Sequence, residues 1–131
     1  MFEVTARLKV RDGELEGFKH QAAELIRLTR EKDTGTLRYD WFLSDDGTSC
    51  EVREAYVDAD ALLEHSGHIA EARAKLFRDF AYGHAITFYA EPSPTLAEGM
   101  KAMPPGAVEL TQLSFFQGLA AEAEMLQEVP A

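Results

Sequence analysis

Residues 36–56, TLRYDWFLSDDGTSCEVREAY, constrain the fold more than any other stretch of the chain. Two runs rich in aromatic and branched residues flank Ser44-Asp45-Asp46-Gly47. An Asp-Gly turn between alternating apolar positions is a strong signal for a β-hairpin. Leu37, Tyr39, Trp41 and Leu43 fall on one face of the first run, and Cys50, Val52, Glu54 and Tyr56 on one face of the second. The opposite faces carry Arg38, Asp40, Glu51 and Arg53, a mixed-sign set able to cross-pair. Phe42 interrupts that polar face and is expected to be covered.

The segments around the hairpin complete a β-α-β-β-α-α-β order. Phe2, Val4, Ala6, Leu8 and Val10 alternate with polar residues, the period of a strand with one buried face. Asp12 is placed to cap a following helix, in which Leu15, Phe18, Ala22, Leu25 and Thr29 recur at three and four. Gly35 is expected to stop it. Asp58 or Asp60 caps a second helix that breaks near Ser66-Gly67. A third helix carries Ile69, Ala72, Leu76 and Phe80, flanked by Arg73 and Phe77. Residues 82–91 form a fourth strand with His84, Ile86 and Phe88 on one face. After Pro92-Ser93-Pro94, a short helix over 95–103 leads through Pro104-Pro105 to a fifth strand over 108–116, and an Ala- and Glu-rich end that frays. A β-α-β-β-α-β core gives an antiparallel sheet with helices on one face. Its other face keeps apolar side chains, which a second copy of the chain would cover.

Composition narrows the partners. The chain has 131 residues and a net charge of −10, with 13 basic residues scattered among 23 acidic ones. Phosphate backbones and anionic membranes recruit clustered Lys and Arg, so nucleic acid and membrane surfaces are not expected partners. No apolar run approaches the roughly 18–20 residues that span a bilayer. The start MFEVTARLKV reads as a strand and lacks the pattern of a signal peptide. Cys50 is the single cysteine, so no intrachain disulfide forms and a reducing, cytoplasmic setting fits. Within an alternating strand it is expected to be a packed thiol rather than a nucleophile.

The stretch RYDWFLSDDGTSCEVREAYVDADALLEHSGH, together with GHAITFYAEP, resembles the antibiotic biosynthesis monooxygenase family, which includes quinol-monooxygenase-like proteins. The shared pattern is an aromatic strand, a Glu-rich partner ending in an aromatic, an acidic helix start, then Ala-Leu-x-x-His and a second His. The resemblance covers about residues 2–92. It implies an α+β fold: a ferredoxin-like antiparallel sheet with helices on one face, paired into a homodimeric α+β barrel. It also implies a ligand pocket between sheet and helices. On this reading residues 1–92 are the monooxygenase-type domain, 93–116 a helix-strand extension packing on the sheet or the dimer mate, and 117–131 a tail. The best understood members oxidise anthrone-type aromatics or hydroquinones with O2 and neither metal nor flavin. Haem-degrading relatives use an Asn, a Trp and a His; this chain has no Asn, and its one Trp is on a strand.

Cofactor-free oxidation needs a dry pocket for an electron-rich phenol and a base that works near neutrality, which histidine supplies. His65, matching the family's Ala-Leu-x-x-His, is the first candidate base and His68 the second. Tyr39, Trp41 and Tyr56 are candidates to line the pocket, since each joins an apolar ring to a polar handle. His84 reads as a core histidine. Metal binding by His65 and His68 lacks further ligands in a recognisable motif, so no metal is expected. A non-catalytic ligand-binding or stress-associated dimer on the same fold is the alternative, because fold alone does not decide chemistry.

Overall fold

The computed structural model describes residues 1–101 and 107–120. Nine elements follow in order: β1 Phe2–Val10, α1 Leu15–Lys32, β2 Thr36–Leu43, β3 Ser49–Tyr56, α2 Ala59–His68, α3 Ala70–Asp79, β4 Ala81–Phe88, α4 Pro94–Lys101 and β5 Glu109–Gln112. They build one sheet of order β2-β3-β1-β4-β5. β1 pairs antiparallel with β3 and β4, and β2 antiparallel with β3, the ferredoxin-like arrangement. β5 joins β4 in parallel, so the sheet grows at one edge through the α4 crossover. No helix among the described residues is long and apolar enough to cross a membrane.

The alternation in β1 works as its pattern requires. Phe2, Val4, Ala6, Leu8 and Val10 are all buried beneath the helices. Phe18 and Leu25 of α1 and Leu76 of α3 pack on them with Cys50 and Val52. Leu96 of α4 closes a second cluster with Phe2, Val4 and Phe88. Burial also pushes the Cys50 thiol up to about 12, so it stays protonated and inert at neutral pH.

Several local expectations are corrected. Asp12 does not cap α1; the capping position is Glu14, whose side chain makes no cap bond. α1 stops at Lys32 with Asp33 extended, and Gly35 has another duty. A Cβ on Gly35 would stand 2.7 Å from the Cβ of Ala61, so its absence lets α2 settle against the chain there. Asp58, not Asp60, caps α2 by accepting from the Ala61 N–H at 2.9 Å. α2 runs through Ser66-Gly67 to His68, because that turn keeps helical geometry until Ile69. β2 is an edge strand, which leaves Leu37 and Leu43 beyond the reach of the helices and exposed. Phe42, on the outer face, is 52% exposed within the single chain. The fifth strand spans four residues, 109–112, and Phe115 and Phe116 lie past it, exposed. The expected end of the last helix at 102–103 and most of the expected tail, 121–131, fall outside the described residues.

The hairpin turn and a bulge in β4 both depend on glycine. Gly47 has φ +72°, the left-handed region that closes the turn, and its N–H donates to Ser44 O at 2.9 Å. Gly83 has φ +67° where the β1–β4 register shifts between Arg7 and Lys9. The extra residue switches the facing of β4, so both Ala81 and His84 turn toward the helices.

Candidate functional site

A cavity of about 690 Å³ lies between the inner sheet face and helices α2, α3 and α4. Val4, Ala6 and Leu8 floor it; Ile69, Leu62 and Leu63 wall it; Leu96 and Met100 of α4 add to its lining. The volume is in the ordinary range for small-ligand sites, and the lining is mainly apolar with a few polar groups. Those polar groups include Tyr39, Trp41, Glu54, His65, Arg73 and His84, drawn from five elements.

His65 lies in the last turn of α2, one turn beyond Ala61, and is 2% exposed. Its Nδ1 lies 2.7 Å from Asp33 Oδ2. An ionised carboxylate only accepts, so the imidazole Nδ1–H donates, and the neutral ring then carries its free lone pair on Nε2. Thr29 stands 3.4 Å from the same nitrogen, its hydroxyl proton committed to Leu25 O at 2.8 Å. Tyr39 meets the imidazole edge-on at 4.6 Å between centroids, and Tyr56 packs at 5.5 Å. Burial lowers the His65 pKa from the ordinary histidine value, although Asp33 opposes that shift.

Asp33 organises this end of the cavity. It also accepts from the Thr36 hydroxyl at 2.6 Å and from His68 Nδ1 at 2.7 Å. Burial alone would raise its carboxyl, but the bonds from Thr36, His68 and His65 outweigh burial and hold it below the usual carboxylate range. His68 is thereby tied behind the site, its side chain 30% exposed, and is not among the residues lining the cavity. Asp33, Glu64 and His68 bring ligand-type atoms within 4.8 Å of one another. Glu64 is already spent on the Thr34 N–H at 2.8 Å and its hydroxyl, so internal hydrogen bonds account for the cluster.

Trp41 shows a different condition. Its indole Nε1–H is buried with no partner among the described residues. The ring is wedged edge-on against Tyr39 and Phe18, which fixes it. Tyr56 is fully buried but is not among the lining residues; its hydroxyl donates to Glu54 instead. Burial pushes the Glu54 carboxyl up to about 7, against the Tyr56 bond and the nearby Arg73 charge, which both lower it. His84 stacks on Phe77 at 4.5 Å, and burial pushes it down to about 4, so it is neutral at physiological pH.

The structure thus brings His65, Tyr39 and Trp41 to one cavity and sets His68 and Tyr56 behind it. Three polar groups were not singled out from the sequence: Asp33, Glu54 and Arg73. Glu54 carried a signal, as the one charged residue on the Cys50-Val52-Tyr56 face. Arg73 flanked the apolar stripe of α3. Asp33, in the connection after α1, carried none.

Residues 1–80 match the antibiotic biosynthesis monooxygenase family. The chain belongs to this family. All the polar groups above except His84 lie within the matched span. Among solved structures, MupZ from Pseudomonas fluorescens shares the fold with a TM-score of 0.72 at 23% identity, over 93% of this chain and 95% of MupZ. Rv0793 from Mycobacterium tuberculosis gives 0.60 at 29% identity, over 70% of this chain and 95% of its own. SO0527 from Shewanella oneidensis gives 0.61 at 22% identity, over 69% and 89%. The MupZ likeness therefore takes in residues beyond the core that the other two share. No curated protein matches the chain.

Proposed function

We propose that this family member is a cofactor-independent monooxygenase that oxidises a small hydroxylated aromatic, anthrone- or hydroquinone-like, with O2. The observation that carries the reading is His65: its Nδ1 is anchored on a buried carboxylate, and it borders a largely apolar cavity beside Tyr39 and Trp41. That combination supplies a base with a fixed tautomer, a dry site and polar handles for ring oxygens.

In the proposed reaction, Nε2 of His65 takes the proton of the substrate hydroxyl or its enol. The resulting anion gives one electron to O2, and the radical pair recombines to form a C–O bond. The imidazolium returns its proton to the distal peroxide oxygen; the remaining hydrogen on the oxygenated carbon then leaves as a proton, its electron pair forms the carbonyl as the O–O bond breaks, and that proton joins the departing hydroxide to make water. One oxygen atom stays in the product as a carbonyl and the other departs in water, while the substrate supplies all the electrons. Asp33 stabilises the imidazolium in between, and Trp41 Nε1–H is a donor for a substrate oxygen. Oxygen uptake across a panel of anthrones and hydroquinones is the test. Uptake with one of them, unaffected by chelator and without added flavin, is expected. Binding of panel members with no uptake from any would instead support the ligand-binding alternative.

We further propose that two chains pair through the outer sheet face. Phe42, Tyr82 and Tyr89 are exposed there, interleaved with charges such as the Arg7–Glu51 pair at 3.1 Å. A stable pairing of whole sheets buries on the order of 2,000 Å² in total. Sedimentation equilibrium is expected to give a dimer at micromolar concentration; a folded monomer there would rule the pairing out.

A further inference from the structure

The cavity holds a cation that the described protein does not neutralise. Arg73 projects from α3 into the lining, and its Nη1 donates to Ser66 Oγ at 2.9 Å and more loosely to Ser66 O at 3.4 Å. No described carboxylate comes within 4 Å of its guanidinium, whereas Arg7, Lys19, Arg27, Arg38, Arg78 and Lys101 each have one that close. The remaining nitrogens of the fork make no hydrogen bond to the described chain. A partly desolvated guanidinium is costly unless something anionic meets it, and its parallel N–H groups match a carboxylate.

The neighbouring groups leave that role open to a ligand. Glu54 is the cavity's own carboxyl, and burial keeps much of it protonated near pH 7. His65 and His84 are neutral at that pH. Trp41 also lines the cavity, and its buried Nε1–H is a second donor with no partner among the described residues. The cavity therefore presents donors and the Arg73 cation, with the exposed Arg11, which donates to Phe77 O at 2.8 Å, as a second lining cation, although the chain as a whole carries −10. Surface charges more than about 8 Å away are screened at physiological ionic strength, so the half-buried Arg73 guanidinium counts for more locally than the net charge of the chain.

We propose that Arg73 is the anchor for a carboxylate on the aromatic ligand. The substrate class is then a hydroxylated aromatic acid, with its carboxylate on the guanidinium and its hydroxyl toward His65. This deepens the oxygenase reading and rests on it for the hydroxyl, but the anchor itself is tested by binding alone.

Calorimetric titration with 2-naphthoate and with its uncharged counterpart 2-naphthalenemethanol provides that test. Wild-type protein is expected to bind the carboxylate at least about tenfold more tightly, as a charge-assisted pair in a desolvated site allows. Arg73→Gln is expected to abolish the preference, and His65→Ala to retain it. Equal affinities, a preference that survives Arg73→Gln, or no binding of 2-naphthoate would overturn the proposal. Should Arg73→Gln not fold, Arg73→Lys decides: an ammonium cannot reproduce the two parallel bonds, so an undiminished preference would also overturn it. A preserved preference without oxygen uptake from any aromatic acid would sink the oxygenase reading and leave the anchor standing. Uptake without the preference would do the reverse.

Discussion

His65→Ala is expected to lower turnover by about 10²–10⁴-fold on whichever aromatic supports oxygen uptake, the usual range for loss of a general base. Ligand binding should change far less, because Tyr39, Trp41 and the apolar walls remain. The wild-type rate should rise with pH through one ionisation, since only the neutral imidazole accepts a proton. Burial lowers the His65 pKa, so that step lies below about 6.5, the ordinary histidine value. Asp33→Asn removes the anion that opposes the lowering, so the step should move to still lower pH. It should also cost activity, because an amide can donate to Nδ1 and so favour the wrong tautomer. His68→Ala should do little to the chemical step, since His68 stands behind Asp33 and outside the cavity wall. Rate profiles of the three variants decide this; a His65→Ala enzyme with wild-type turnover and the same pH step would remove His65 from the mechanism.

Glu54→Gln is expected to reshape the dependence of stability on pH. Glu54 is raised to about 7 in the folded chain from an ordinary 4.5, first by burial. The folded state thus holds a proton that the unfolded state releases. Its stabilising contribution is full below about pH 4.5 and is lost as pH rises through 7, a change of about 3 kcal/mol. His84 acts oppositely. It is lowered to about 4 from 6.5, so its contribution is present above about 6.5 and is lost as pH falls toward 4. His65, also lowered by burial, adds to the same slope as His84. In the wild type these slopes offset one another between about pH 4.5 and 6.5. Glutamine keeps an acceptor for Tyr56 but does not titrate, so the variant should become steadily more stable as pH rises over that interval. Urea unfolding from pH 4.5 to 8 measures it. Parallel profiles for the wild type and the variant would show that Glu54 titrates as an ordinary carboxyl.

The strands were legible because their signals are local. Alternation fixes which residues of β1 and β3 face inward, and the Asp-Gly turn fixes the hairpin. Leu37 and Leu43 share the face of Tyr39 and Trp41 yet are exposed, because alternation reports a face, whereas cover depends on whether a strand is central or at the edge. Ser66-Gly67 reads as a break because propensity disfavours glycine in a helix, yet packing of Ala59, Ala61 and His65 carries α2 through it. The bulge at Gly83 was hidden too, since a single inserted residue leaves no periodic trace of its own. His65 was legible through the Ala-Leu-x-x-His pattern. Asp33 was not, because its importance arises from where the end of α1 meets α2, and nothing local in Lys32-Asp33-Thr34 records that meeting.

The placement of β5 bears on how such a pocket can diversify. Addition at the β4 edge leaves the pairings of β1, β2 and β3 untouched, and with them the His65–Asp33 end. The appended segment nevertheless reaches back over the ligand space, where Leu96, Met100, Val108 and Leu110 form part of the wall. The proposed proton handling and the shape of the cavity are therefore written on separable stretches of the gene product. Insertions, deletions or grafts after β4 can resize the chamber while the proposed acid–base pair, His65 and Asp33, is inherited intact, a division of labour through which one scaffold can accommodate ligands of different length.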